Sequence, residues 1–313
     1  MKVKKLVFAF LALALVALIG YGAYLTYDYY KNQPNFSVKD TLPDGEGRTV
    51  RVILIGGQSN AVGCSLDEYL QKYVSNEKYQ EYENGYDNVY INYFSSGTNE
   101  SGEFVKCKNN QGQLYGFFGP ELGLSERLNE EYPDETIFII KCAWNGTTLY
   151  EQWLSPSAGK SGILYNHFVK YVNANLDYLK SKNYDVKIEG ICWMQGESDS
   201  VSLEEAINYE NNLSCFISDL RAEFAPYASD DGIAFIDAYI SDSEEWTYYI
   251  ELNKSKKAVA DMSNMNVVID TISQGLSVGE EPFGNPDIYH YDALSEIKLG
   301  HLFGDEIIKF FDK

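Results

Sequence analysis

From Val50 onward, short apolar runs alternate with longer stretches whose apolar positions recur at helical spacing. The runs are RVILIGG (51–57), NVYINYF (88–94), TIFIIKCAW (136–144), KIEGICWMQG (187–196), IAFIDAYI (233–240) and NVVIDTI (266–272). Near-continuous apolar strands belong to sheets buried on both faces, and such sheets are mostly parallel. Between the runs, the spacing predicts helices over 119–132, 162–182, 202–224 and 293–311. Pro120 falls in the first turn of one, and Ser202 followed by Glu205 makes a capping box at the start of another. Strands alternating with helices imply right-handed crossovers and a three-layer α/β/α sandwich, with a mostly parallel sheet of about five strands.

The N-terminus breaks this pattern. Residues 6–25 carry no charge and follow Lys2, Lys4 and Lys5. An apolar stretch of this length can cross a bilayer, and the leading lysines hold its first end in the cytoplasm. A cleaved signal peptide fits the same residues. Both readings place the remainder outside the cytoplasm, with membrane contact through this segment alone. The expected organisation is a signal anchor or signal peptide over 1–30, a polar linker over 31–49 and one domain over 50–313.

Composition narrows the partners. Asp and Glu number 46 against 25 Lys and Arg, a formal net charge of −21. Nucleic acid is excluded, because phosphates are held by clustered cations, and polyanionic substrates are disfavoured by like charge. With 45% hydrophobic residues the chain has ample material for a core. Five cysteines without a CxxC or a zinc-finger spacing argue against a disulfide scaffold and a metal site. Cys142 and Cys192 fall inside predicted strands, where cysteine behaves as a small hydrophobe.

In an open parallel sheet, ligands gather beyond the carboxyl ends of the strands, so the residues there carry the chemistry. After the first strand comes Gly57-Gln58-Ser59-Asn60. A serine on a glycine-flanked turn can present its hydroxyl beside free backbone N–H groups, although Ser and Asn also cap ordinary helices. After the third strand comes Asn145-Gly146-Thr147, where glycine lets a backbone N–H approach a ligand. Gln195, Glu197 and Asp199 follow the fourth strand, and Asp287-Ile288-Tyr289-His290 precedes the last helix. A carboxylate three residues before an imidazole can accept its Nδ1–H and leave Nε2 as a base. Of the three histidines, His167 and His301 lie in predicted helices, leaving His290 placed for chemistry. A second serine, in GLSVG (275–279), matches a nucleophile elbow, but GEEPFGNPD follows it and cannot form the helix that such an elbow requires.

In this order, GQSN (57–60), FGPE (118–121), KCAWNGT (141–147), WMQGESD (193–199) and DIYH (287–290) resemble the SGNH/GDSL hydrolase superfamily. The likeness is to the branch of sialate O-acetylesterases and carbohydrate esterase family six, which includes acetylxylan esterases. It implies a flavodoxin-like sandwich and a serine esterase that uses no cofactor and no metal. By the resemblance, Ser59 would be the nucleophile, His290 the general base and Asp287 the acid that orients it. Ser59 N–H, Gly146 N–H and the Gln195 side chain would form the oxyanion hole. Asn145 stands where the family has glycine, and Glu197 is an alternative to Asp287. Asn60, Asn145, Thr147, Tyr150 and Trp153 are expected to line the substrate pocket. The implied substrate is an acetyl ester of a small carbohydrate or polysaccharide, of xylan or sialic acid type. The 26 tyrosines, dense over 79–93, favour a carbohydrate-facing surface there. A lipid esterase or thioesterase, or a non-catalytic glycan-binding protein, are the alternatives; the joint presence of Ser59, Asp287 and His290 speaks against the last.

Overall fold

In the computed structural model, residues 36–311 are described, so the predicted anchor or signal segment lies outside the described residues. Among the described residues no helix is long and apolar enough to cross a membrane. The six apolar runs become β1 (Thr49–Gly57), β2 (Val89–Ser95), β3 (Ile137–Ala143), β4 (Asp185–Met194), β5 (Ala234–Ala238) and β6 (Asn266–Ile269). They pair in parallel in the order β6-β5-β4-β1-β3-β2, and two-residue strands at Asn99–Glu100 and Val105–Lys106 add antiparallel to β2, making an eight-stranded sheet. All six runs enter the sheet, one more strand than the five expected, and the two-residue strands add two that no apolar run announces.

Every residue of β3 is buried, as is β1 from Val52 onward, so the sheet is covered on both faces. The helices are α1 (Ser59–Val62), α2 (Asp67–Tyr73), α3 (Asn76–Asn84), α4 (Glu121–Glu131), α5 (Ile163–Ser181), α6 (Leu203–Glu223), α7 (Tyr249–Ala260) and α8 (Ala293–Ile307). On one face Trp193 of β4 packs on Phe216 of α6, with ring centroids 4.6 Å apart, and Phe168 of α5 lies nearby over Gly56. On the other, Gly190 leaves room for Ile307 of α8.

The predicted helices appear as α4, α5, α6 and α8, while α2, α3 and α7 were not expected. Two tyrosines form the buried face of α3: Tyr79 donates to Asp67 and Tyr82 to Glu126, each at 2.5 Å. With Tyr93 they are buried, so three of the five tyrosines expected to face a carbohydrate over 79–93 belong to the core. In α7 the buried positions include Asn253, Ser255 and Lys256, which hide its amphipathic period. The expected linker is also shorter than 31–49. Thr41 and Leu42 both donate backbone N–H to Tyr178 Oη at 3.0 Å, Gly45 N–H donates to Lys182 O at 2.6 Å, and Leu42 is buried.

The sheet order sets the site. β1 lies between β3 and β4, so the chain reverses its winding direction there and leaves a crevice at the carboxyl end. Gly57 is level with Ala143 on one side and Met194 on the other. The loops after β1, β3 and β4 therefore leave the sheet side by side.

Candidate active site

At Gly57 the backbone turns with φ +137°, and a Cβ there would stand 2.0 Å from Met194 O. Only glycine allows the bend while Gln58 N–H donates to Met194 O at 2.8 Å. Ser59 then opens α1, whose Ala61 and Val62 N–H groups fold back onto Gln58 O. Ser59 is 7% exposed, and its hydroxyl has no hydrogen-bond partner among the described residues. The Ser59 N–H is spent on no turn or cap bond. Gln58 Oε1 accepts from Gln195 Nε2 (3.1 Å), Ser198 N–H (3.3 Å) and Gly196 N–H (3.4 Å), which fastens the serine turn to the loop after β4.

Asp287 Oδ2 lies 2.6 Å from His290 Nδ1, while Oδ1 accepts the N–H groups of Tyr289 (2.9 Å) and His290 (3.3 Å). The three-residue spacing thus closes a compact side-chain turn. Burial lifts the Asp287 carboxyl, but its bonds from His290 and Tyr289 N–H outweigh that and hold it below the ordinary value. For His290 burial works downward. The Asp287 carboxylate bonded to Nδ1 overcomes it, together with the nearby Cys64 side chain, and raises the imidazole above its usual range. Cys64 also donates to Gln113 Oε1 at 3.1 Å.

Asn60 ties these loops together. Its Oδ1 accepts Tyr291 N–H at 3.1 Å, and its Nδ2 donates to Glu197 Oε1 at 2.8 Å. Of the two acids considered for His290, Asp287 meets the imidazole and Glu197 meets Asn60. Glu197 is buried with Oε2 unpartnered, and burial pushes its carboxyl up.

Gly146 adopts φ +60°, is exposed and has an N–H used in no turn or cap bond. Its loop is held on both sides: Asn145 N–H donates to Ser96 Oγ (2.8 Å), and Thr147 Oγ1 donates to Trp144 O (3.0 Å). Gln195 is wholly buried, and its Nε2 faces Asp199 Oδ2 (2.6 Å), Thr147 O (2.8 Å) and Gln58 Oε1. Its two amide hydrogens are thus taken by internal acceptors and are not offered to the crevice, contrary to the oxyanion role that the resemblance implied. Asp199 also accepts Leu149 N–H (2.9 Å) and Tyr150 N–H (3.0 Å). Burial pushes its carboxyl up to about 7, outweighing these donors.

A sunken hydroxyl, an imidazole backed by a carboxylate and two uncommitted backbone N–H groups are the parts that acyl transfer to water requires. A family model for carbohydrate esterases, sialic acid-specific acetylesterase, matches residues 49–309. The chain belongs to that family. It is a carbohydrate O-acetylesterase built on an α/β/α sandwich. A protein of Arabidopsis thaliana has a similar structure, with TM-score 0.61 and 16% identity over 86% of this chain and 100% of that one. NanS is similar at TM-score 0.60 and 16% identity, over 87% and 99%. A carbohydrate acetylesterase from Xanthomonas citri reaches 0.52 and 18%, over 81% of this chain and 55% of its own. At these identities the likeness is one of fold. A comparison with curated proteins gives no match.

Several expected pocket residues of the esterase serve the scaffold instead. Trp153 is 0% exposed; it donates Nε1–H to Thr147 Oγ1 at 2.8 Å and meets Trp193 edge-on at 5.1 Å. It supports the Gly146 loop from within the core and does not wall the pocket. Thr147 is buried with its hydroxyl committed, whereas Tyr150 is half-buried and donates to Glu204 at 2.8 Å. Asn145 is half-buried, its Oδ1 3.8 Å from Cys64 Sγ. Ser277 is bonded to Asp292 and Ser295, with no helix following it. His167 lies in the core against Phe94, and His301 pairs with Glu126 at 2.8 Å. Cys64 and Asp199 went unassigned in the sequence reading. For Asp199 the signal was present, a carboxylate on the loop after β4; for Cys64 there was none.

Proposed function

We propose that the esterase works through an acyl-enzyme on Ser59. His290 takes the Ser59 proton as Oγ bonds to the acetyl carbon, and the oxyanion points at the N–H groups of Ser59 and Gly146. The carbonyl re-forms, the bond to the sugar oxygen breaks, and His290 gives its proton to the departing hydroxyl. Water then attacks by the same route, releasing acetate and restoring Ser59. Asp287 holds the imidazole in the tautomer that this exchange needs. Gln195 acts one step behind, keeping the loop of Gly146 against the serine turn.

The observation that carries this reading is the Asn60 bridge. By accepting Tyr291 N–H at 3.1 Å, the residue beside Ser59 docks the residue beside His290. A pairing of serine and histidine loops through their neighbours is what a shared reaction centre needs and what two independent turns do not. Residues 6–25 support an extracytoplasmic setting, as an anchor or as a cleaved signal. The test is acetate release by the purified full-length chain and by Ser59→Ala. A fall of at least about 10⁴-fold is expected, and wild-type turnover in the variant would refute the assignment.

A further inference from the structure

We infer that this esterase takes a neutral acetylated sugar, whose ring lies on Tyr289 and Trp246 beside His290. The inference rests on the reading of Ser59 and His290 given above and adds the substrate class. Tyr289 directly precedes His290 and is 45% exposed, with its ring centroid 6.5 Å from the imidazole. Its backbone is fixed by the N–H bond to Asp287, so the ring projects from a rigid turn. Trp246 comes from the loop after β5 and meets it at 5.6 Å, with planes inclined by 59°. Trp246 is itself held, donating Nε1–H to Ser241 Oγ at 3.2 Å and backbone N–H to Ser243 O at 3.0 Å.

Two loops from different strands therefore bring rigid aromatic rings together next to the imidazole. Their partly exposed faces, lying beside the imidazole, are open to the apolar face of a ligand. An aromatic face suits the C–H face of a pyranose, and the tyrosine hydroxyl remains free to meet a sugar hydroxyl at the edge.

The second observation concerns charge. An anionic sugar such as a sialic acid presents a carboxylate, which proteins grip by bidentate arginine. All four arginines are committed elsewhere. Arg48 bonds Gly45 O, and Arg51 holds Glu135 and Glu189 at the opposite end of β1. Arg127 pairs with Asp305, while Arg221 binds the carbonyls of Ile233 and Met265 before β5 and β6. The platform is flanked instead by exposed Asp242, Glu244 and Glu245 on the loop of Trp246, which repel an anion and leave a neutral ring unaffected.

The test compares kcat/KM of the full-length chain on acetylated xylo-oligosaccharide, on 9-O-acetylated sialic acid and on ethyl acetate, which has no ring. Wild type is expected to favour the neutral sugar ester over the sialate by at least about tenfold, the size of one unmet charge contact. In Tyr289→Ala and in Trp246→Ala the ratio of xylo-oligosaccharide to ethyl acetate kcat/KM is expected to fall about tenfold, mainly through KM. The two variants lie on separate loops, so misfolding of one leaves the other to read. A wild-type preference for the sialate, or an unchanged ratio in a variant that still hydrolyses ethyl acetate, overturns the inference. Ser59→Ala on ethyl acetate reports on the nucleophile separately, so failure of the platform and failure of the serine reading are distinguishable.

Discussion

Asp199→Asn should slow the enzyme without destabilising it. The Asp199 carboxylate accepts three N–H bonds, from Gln195 Nε2 and Leu149 on one oxygen and Tyr150 on the other. Asparagine can present its oxygen to only one of these sides; keeping Gln195 and Leu149 sets its NH₂ against Tyr150 N–H. Leaving one buried donor unmet costs about 1–3 kcal/mol. Against this, burial holds the wild-type carboxyl at about 7 instead of 3.8, so carrying the anion inside costs about 4 kcal/mol that the neutral amide does not incur. The two terms offset, and at pH 8 the melting temperature should not drop. The geometry does not offset. Releasing Tyr150 N–H loosens the turn that carries Gly146, and a misplacement of about 1 Å at a reacting centre costs about 100-fold in rate. Acetate release should therefore fall about 10–100-fold in kcat, by the same estimate. The assay is kcat by pH-stat beside thermal melts followed by circular dichroism. A kcat within twofold of wild type, or a loss of rate that tracks a lowered melting temperature, would refute the argument.

Two further outcomes follow from other buried groups. Because His290 is raised above its ordinary range by Asp287 and Cys64, the acid limb of kcat/KM should lie above the unperturbed ~6.5. In the proposed mechanism protonated His290 cannot take the Ser59 proton, so activity is expected to fall as pH drops through that limb. Cys64→Ala removes one of the neighbours that raise the imidazole and should move the limb to lower pH; a limb that stays in place in the pH–rate profile contradicts that influence. Lys141 and Glu121 are both 0% exposed and 2.6 Å apart. Lys141→Met leaves the Glu121 charge buried with Gly119 N–H as its remaining donor, at an expected cost of about 3–5 kcal/mol in denaturant unfolding. Lys141→Met with Glu121→Leu should recover much of it, and a single-variant loss below about 1 kcal/mol would count against the pair.

How much of this fold could be read in advance depended on what each segment buries. The six parallel strands announce themselves because a strand covered on both faces has no polar side to interrupt its apolar run, and β3, buried at every position, is the extreme case. The helices α4, α5, α6 and α8, which bury leucine, isoleucine or phenylalanine over several turns, were legible for the same reason. The α3 helix was not, since its core face consists of Tyr79 and Tyr82, which look like surface residues until Asp67 and Glu126 are brought to their hydroxyls. Trp153 shows the converse error. Beside the Gly146 loop an aromatic residue could as well face a sugar as the core, and the deciding contact, its bond to Thr147 Oγ1, is visible only in three dimensions.

The site divides along the same line. Contacts made within a local turn were legible: the glycine bend before Ser59, and Asp287 against His290 three residues on. Residues that act by joining distant loops were not. The acidic composition is the clearest instance, because a count of 46 Asp and Glu suggests a charged surface, yet a set of these acids is buried near the strand ends. Several accept backbone N–H groups of loops that no secondary structure satisfies: Asp199 those of Leu149 and Tyr150, Glu121 that of Gly119. Around the start of α8, Glu281 accepts Ala293 N–H while Asp292 accepts Glu281 N–H. A crevice made of loops has many orphan donors, and a carboxylate is the side chain that can take several at once. Part of the acidity therefore serves to stiffen the loops that hold Gly146 and His290. It follows that the formal charge of −21 overstates the field a substrate meets, while the exposed acids beside Trp246 act on it directly.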